Sequence, residues 1–378
     1  MLIEQTHWNQ DKAWLPAYPG KLGKKANLVL LFGSPTRLKE TGWQEDIKKA
    51  YPNAHQLGCS TAGEIFGTNV LDETLVATAI SFEHTKLERA QIKLVEGVDS
   101  FQAGEKLAQA LPHKSLTHVL VLSDGQNVNG SELVEGMTKH LPSGVTLTGG
   151  LAGDGDRFQE TLVFLDGPPA PNIIAAIGLY GKRLKVGFGS LGGWDAFGPE
   201  RLITRSAGNV LYELDQQPAL AIYKKYLGGH AKDLPASGLL FPLSLRGTES
   251  ESIVRTILSV DESEQSLTFA GNIPQGEYAR LMKANFDRLI DGAIGAAQTS
   301  YDAIGKTLPD FALLISCVGR KLVLKQRIEE EVEGVQDVFG KETALAGFYS
   351  YGEISPFNQS AKCELHNQTM TITIFSEQ

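Results

Sequence analysis

An α/β fold with mixed sheets, crossover helices and β-hairpins is predicted for this chain on three observations. Short apolar runs end in tight turns at Leu28-Val29-Leu30-Leu31-Phe32, His118-Val119-Leu120-Val121-Leu122 and Phe311-Ala312-Leu313-Leu314-Ile315, the mark of buried strands. A helix-like stretch and then a loop of small residues follow each run. Between the second and third runs the pattern changes to apolar segments joined by polar turns, which reads as hairpins.

Taken in order, the first run leads to a helix at Trp43 to Ala50 and then to Gly58-Cys59-Ser60-Thr61-Ala62-Gly63-Glu64. The second leads to a helix at Ser131 to His140, with Ser131 a candidate cap, and to Thr148-Gly149-Gly150-Leu151-Ala152-Gly153-Asp154. The third leads to a charged helix at Ile328 to Phe339 and to Gly347-Phe348-Tyr349-Ser350-Tyr351-Gly352-Glu353. A strand–helix–strand unit of this size calls for parallel pairing with a right-handed crossover. The three units are compatible with a diverged repeat and with the general likeness of α/β units.

Ile173 to Tyr180 and Leu184 to Gly189, around Gly181-Lys182-Arg183, read as one hairpin. Ile253 to Val260 and Leu267 to Gly271 read as another. Helices are expected from Pro218 through Leu220, Tyr223 and Leu227, and over Leu281, Met282, Phe286, Leu289, Ile290 and Ala293. The chain ends in an alternating strand, Thr369 to Ile374. Crossover units and hairpins in one chain imply two parts meeting near Asp215 to Pro218.

Hydrophobic residues make up 42% of the 378 and charged residues 21%, a globular balance. The net charge of −9 argues against a nucleic-acid or anionic membrane surface, which needs clustered cations. No apolar run reaches the roughly 20 residues of a membrane span, and the N-terminus lacks the build of a signal peptide. The three cysteines, Cys59, Cys317 and Cys363, lie far apart, as in a reducing compartment. A cytoplasmic protein is the expectation.

The Cys59-Ser60-Thr61 loop offers a thiol, two hydroxyls and backbone N–H groups, and Glu64 at its end offers a charge for an ammonium group. A tight turn with an acid at a helix start would use the same residues. Three such loops gathered at the carboxyl ends of strands would sit where open parallel sheets bind ligands. Gly150 and Asp154 belong to the second loop, and Tyr349 and Glu353 to the third, where aromatic rings suit either a pocket wall or the core. Arg255 can pair with a carboxylate or lie exposed. Cys363 and His366 form a Cys-x-x-His pair without a second pair, so a structural zinc site is not expected. His366 is the best-placed histidine for a haem ligand, and a hydrogen-bonded histidine at a strand start is the alternative. Gly187 to Gly192 matches a dinucleotide fingerprint in letters only, because no helix follows.

Several of these segments together resemble the FIST family of sensory domains. Gly58 to Ile65 looks like the signature of its N-terminal half. Gly150 to Asp154 fits its second loop, and Gly208 to Asp215 with Pro218-Ala219-Leu220 its central junction. Gly347 to Ile354 and Cys363 to Thr369 look like its C-terminal half. The resemblance runs from about Asn27 to the end. It implies an N-terminal arm (1–24), a FIST N-terminal domain (25–217) and a FIST C-terminal domain (218–378). It also implies a non-enzymatic sensor that signals to a histidine kinase or to a cyclic-di-GMP enzyme, a diguanylate cyclase or phosphodiesterase. One branch of the family is linked to haem and nitric oxide. The alternatives are a sensor of a small polar metabolite such as an amino acid, an enzyme using Cys59 as nucleophile, and an interaction scaffold. On this reading Cys59, Ser60, Thr61, Glu64, Gly150, Asp154, Arg255, Tyr349 and Glu353 face the ligand, and His366 is the candidate haem ligand.

Overall fold

The computed structural model describes all residues except 10, 12, 96–97, 247–252, 360 and 378. Its core is built from one motif used three times. In the first unit, β1 (Leu2–Trp8) precedes β2 (Leu28–Gly33), α1 (Trp43–Ala50), β3 (His55–Ser60), β4 (Glu64–Phe66) and β5 (Leu75–Ser81). The second unit has β6 (Lys86–Lys93), α2 (Ser100–Ala110), β7 (Leu116–Ser123), α3 (Gly130–His140), β8 (Thr146–Leu151), β9 (Val163–Leu165) and β10 (Ile173–Tyr180). The third has β11 (Leu184–Leu191), α4 (Phe286–Ala303), β12 (Phe311–Cys317), α5 (Ile328–Phe339), β13 (Ala344–Ser350), β14 (Gly352–Pro356), β15 (Cys363–His366) and β16 (Met370–Glu377).

The parallel pairs are β2 with β3, β7 with β8 and β12 with β13. The last long strand of each unit returns antiparallel beside the first of the pair, and the opening strand covers its far edge. The short fourth strand leaves its own unit. β4 joins β13 of the third unit, β14 joins β8 of the second, and β9 joins β3 of the first. The exchange closes into a ring of three sheets, and the repeat suspected from sequence is this ring.

Both faces of each sheet are covered, which is why the strands read as continuous apolar runs. The inner faces meet in a core drawn from all three sheets, including Phe32, Leu57, Leu122, Ile177, Leu313 and Phe348. The rings of Phe32 and Phe348, from different sheets, pack at a tilt of 33° with centroids 4.7 Å apart. Burying one such side chain contributes about 1.5–3 kcal/mol. Helices α2 to α5 cover the outside of two sheets, and α1 covers the third.

The hairpin expected around Gly181 is absent. β10 is paired on both edges, by β7 and β6, so it has no free edge for β11, which pairs with β16 instead. The turn hands the chain from one sheet to the next. Residues 2–8, expected as part of an arm, are strand β1, which lies between β5 and the two-residue strand Trp14–Leu15. The cap of α3 is Asn129, whose side chain accepts from the N–H groups of Ser131 and Glu132. The terminal strand β16 is buried along seven of its eight residues. Its alternating threonines find hydroxyl partners: Thr371 bonds Ser190 on the neighbouring strand β11 at 2.8 Å, and Thr373 bonds Thr148 of another sheet at 2.9 Å.

Residues 194–285, between β11 and α4, form a separate sheet inserted into the third unit. The expected helix Ala219–Leu227 lies here. Ile257–Asp261 pairs with Ser266–Phe269 as expected, whereas Ile253–Arg255 is a separate strand on Leu243–Arg246. Leu281 and Met282 lie in a strand, Tyr278–Ala284, and the helix begins only at Phe286, after Asn285, which caps it by accepting from the Arg288 N–H. No helix among the described residues is long and apolar enough to cross a membrane.

Candidate functional site

The three small-residue loops are the points where each unit crosses to its neighbour's sheet, so the ring brings them together. Ala62 N–H donates to Tyr349 O at 2.8 Å, Tyr349 N–H to Gly63 O at 2.9 Å, and Gly153 N–H to Ser60 O at 2.9 Å. Tyr351 N–H reaches Leu151 O at 3.3 Å. These backbone bonds leave little room. Cys59, Ser60, Tyr349 and Glu353 are fully buried, and a Cβ on Gly150 would meet Ile315 at 2.8 Å. Ser60 Oγ accepts from Leu162 N–H at 2.8 Å, and Tyr349 OH donates to Glu331 at 2.8 Å. The loops form a closed joint with their side chains turned inward.

Two carboxyl groups sit in this joint in matching settings. Glu64 bonds Thr61 and takes the N–H and hydroxyl of Thr74, at 3.2 and 2.7 Å. Glu353 bonds Ser350 at 2.6 Å and takes the N–H and hydroxyl of Thr369, at 3.2 and 3.0 Å. Burial raises both, Glu64 to about 7 and Glu353 to about 8, against the pull of these hydrogen bonds. The second unit supplies its acid from Asp124, bonded to Thr161 at 2.9 Å. Asp154 holds Arg157 instead, at 2.6 Å. A niche of about 320 Å³ opens outside the joint, lined by Thr61, Glu64, Asp72, Glu73, Arg157 and Lys321. Its cations are already paired, Lys321 with Asp72 and Arg157 with Glu73 and the neighbouring Asp154.

Arg255 lies elsewhere. It comes from the inserted sheet and lines a cleft of about 990 Å³ between that sheet and the ring. The ring contributes Val134, Leu141, Leu147, Val186, Phe188 and Leu365; the insert contributes Leu245, Ile253, Pro274 and Glu277. The cleft adjoins Thr146 and Leu147 at the amino end of β8, whereas the loops sit at the carboxyl ends. Arg255 is buried, with 5% of its surface exposed. Its Nε–H donates to Asn272 O at 3.2 Å and its Nη1 to Leu365 O at 2.9 Å and Val254 O at 3.5 Å. Nη2 donates to Ser131 Oγ at 3.3 Å. Burial lowers the guanidinium to about 10, offset in part by Glu364 and Glu277. Sequence reasoning missed Ser131 as a partner because it cast this residue as the helix cap; Asn129 takes that role and leaves the Ser131 hydroxyl to the cleft.

Two family models match the chain, the FIST N domain over residues 27–217 and the FIST C domain over residues 219–356. The chain belongs to the FIST family. FIST domains are sensory and ligand-binding parts of signalling proteins. The boundary between the two matches falls in the turn after Val210–Leu214 of the inserted sheet, while the ring draws strands from both sides of it. An uncharacterized protein of Methanocaldococcus jannaschii is 21% identical over 348 residues, covering 82% of this chain and 66% of that protein. The match thus spans just under two thirds of the relative's own length.

Within the FIST frame, His366 does not fit the haem-ligand role in this conformation. Its Nε2 bonds Ser355 O at 2.7 Å, its ring lies edge-on to Phe357 at 4.1 Å, and the residue is buried. Burial holds it neutral, down to about 4. Cys363 is separately engaged, with Sγ on Leu147 O at 3.2 Å. No group of three His, Cys, Asp or Glu side chains among the described residues is arranged to hold a metal. The nucleophile reading of Cys59 meets the same difficulty, since complete burial pushes its thiol well above the usual range, and a nucleophile must be the accessible thiolate.

Proposed function

We propose that this FIST protein senses a small organic molecule held in the cleft between the ring and the inserted sheet. The observation that carries this reading is that the cleft has one wall from each body, at a volume suited to a small ligand. A ligand there changes the fit between the two. The polar contacts that join them beside the cleft gather on a few residues: Arg255 donates to Leu365 O and Ser131 Oγ, Asn272 N–H to Ser131 Oγ, Asn129 Nδ2 to Asn272 Oδ1, Gly130 N–H to Ala270 O, Thr256 N–H to Asn367 Oδ1 at 3.3 Å, and Gln368 Nε2 to Thr256 Oγ1 at 2.9 Å and to Leu239 O at 3.1 Å. A ligand can shift an equilibrium only by its differential affinity for the two arrangements, and a two-walled cleft provides that difference. The output is a signalling partner, such as a histidine kinase or a diguanylate cyclase or phosphodiesterase.

Haem-dependent nitric-oxide sensing is not routed through His366 in this proposal, because that ring is buried against Phe357 and does not line the cleft. The test is to denature the purified protein and identify released small molecules by mass spectrometry, beside a Val186→Trp variant that fills the cleft. A molecule present at stoichiometric level in the wild type and lost in the folded variant supports the reading. A bound molecule retained by the variant places the ligand elsewhere.

A further inference from the structure

We infer that the cleft selects ligands that carry a carboxylate on an apolar body, with Arg255 and Ser131 as the anchor. The inference rests on the cleft being the ligand seat and names the chemistry it accepts. Arg255 forms no ion pair among the described residues, and its four hydrogen bonds all go to neutral oxygens. A guanidinium has five N–H donors, so one on Nη2 is left over. Ser131 Oγ accepts from Arg255 and from Asn272 N–H at 3.1 Å, which leaves its own proton to give. Three residues that hold the guanidinium, Ser131, Asn272 and Leu365, themselves line the cleft.

Among the described residues no carboxylate pairs directly with this guanidinium, Glu364 and Glu277 acting on it only from farther off, and a buried cation without a direct partner is costly. The bound oxygens fix this one in place without neutralising it. An incoming carboxylate oxygen meets the spare Nη2–H and the Ser131 O–H side by side, and it supplies the missing charge in a setting of low dielectric. Val134, Leu147, Phe188 and Leu245 line the space beyond, which takes an apolar body. Lys139 and Lys362 on the lining are balanced by Glu135, Glu277 and Glu364, so the preference for an anion rests on the Arg255 and Ser131 donors. A polar ligand without an apolar part would leave these walls unfilled.

The test uses octanoate and octan-1-ol, which share a chain and differ in the head group. Binding is measured by calorimetry on the full-length wild type, Arg255→Met, Arg255→Lys, Ser131→Ala and Val186→Trp, each checked for folding by circular dichroism. Octanoate should bind at least about tenfold more tightly than octanol, as expected of a charge-assisted contact. Arg255→Met should erase the preference, Ser131→Ala should reduce it, and Val186→Trp should block both probes. If Arg255→Met does not fold, Arg255→Lys and Ser131→Ala decide the matter. Equal binding of the two probes, both blocked by Val186→Trp, would overturn the anchor and leave the cleft as a seat. Binding that survives Val186→Trp would overturn both. No binding of either probe to the folded wild type would overturn the ligand class, while the released-molecule experiment judges the cleft independently.

Discussion

Glu353 takes both the backbone N–H and the hydroxyl of Thr369, at 3.2 and 3.0 Å, and so ties the start of β14 to the start of β16. Glu64 ties β4 to the approach of β5 through Thr74 in the same way. These matched contacts sit where the strands change sheets, so the ring's closure depends on buried carboxyl groups.

A pH dependence follows. Glu64 and Glu353 ionise near 7 and 8 in the folded protein and near ~4.3 when unfolded. Their stabilising effect is complete below ~4.3 and is lost as pH rises through the folded values, because the unfolded chain has already released the protons. Buried His118 and His366, held down to about 3 and 4, act in the other direction below ~6.5. Urea unfolding at pH 7 and 8, above the unfolded histidine range, therefore reports mainly on the carboxyls. The wild type should lose about 1–2 kcal/mol over that interval, and Glu353→Gln should lose less. An equal loss in the variant would show that Glu353 is ionised throughout.

Three glycines occupy one position in the repeat. Gly58, Gly149 and Gly347 lie opposite Leu31, Val121 and Leu314 on the paired parallel strands. A Cβ there would meet the partner's carbonyl oxygen at 2.3, 1.8 and 1.7 Å. Backbone would have to move in each case. Gly347→Ala should cost more than about 3 kcal/mol or prevent folding, in the class of overpacked core sites. Gly144→Ala, in a turn where a Cβ has nothing within 4 Å but φ is +86°, should cost about 1 kcal/mol. Thermal unfolding of the two variants checks the contrast.

These glycines show what the sequence made legible. The Gly-to-acid motif was visible, and so was its return three times at the end of a strand–helix–strand unit. The bounds of α1 and α5 and the buried strands followed from composition. What the glycines do was not visible. Gly58 reads as a residue that admits a ligand, and only the register against Leu31 shows that it admits a neighbouring strand. The exchange of β4, β9 and β14 leaves no local trace, because a strand of three to five residues pairs alike within its unit or outside it. Thr369 to Ile374 reads as an alternating strand, but alternation cannot tell water from the buried hydroxyl partners that Thr371 and Thr373 find in Ser190 and Thr148. Arg255 was picked out as a carboxylate binder, but its distance from the loops is a matter of tertiary placement.

Arg320 and Glu331 form a fully buried pair at 2.7 Å. The guanidinium also donates to Gly192 O and Leu289 O, and Glu331 also accepts from Ser316 and Tyr349. Arg320→Met strands the carboxylate and should cost about 3–5 kcal/mol. Adding Glu331→Leu removes the stranded charge and should recover part of that loss, though Tyr349 OH and Ser316 then lose their acceptor. Denaturant unfolding of the single and double variants measures the coupling; purely additive losses would contradict a paired role.

The cysteines should report on the cleft. Cys59 and Cys317 have no exposed surface, and burial raises both thiols. Cys363 is half-buried and lines the cleft, with its Sγ on Leu147 O and its thiol also raised by burial. Thiol reagents attack the thiolate, so reactivity follows exposure and ionisation together. Native protein at pH 8 should therefore react with a small maleimide at Cys363 alone, at least about tenfold more slowly than the unfolded chain. Octanoate should slow this reaction further, and Val186→Trp should do so without any ligand, because both fill the space the reagent must enter. Peptide mapping by mass spectrometry identifies the labelled residue. Labelling of Cys59 ahead of Cys363 would show that the joint of the three loops opens more readily than the cleft, and it would return the search for a ligand to the loops.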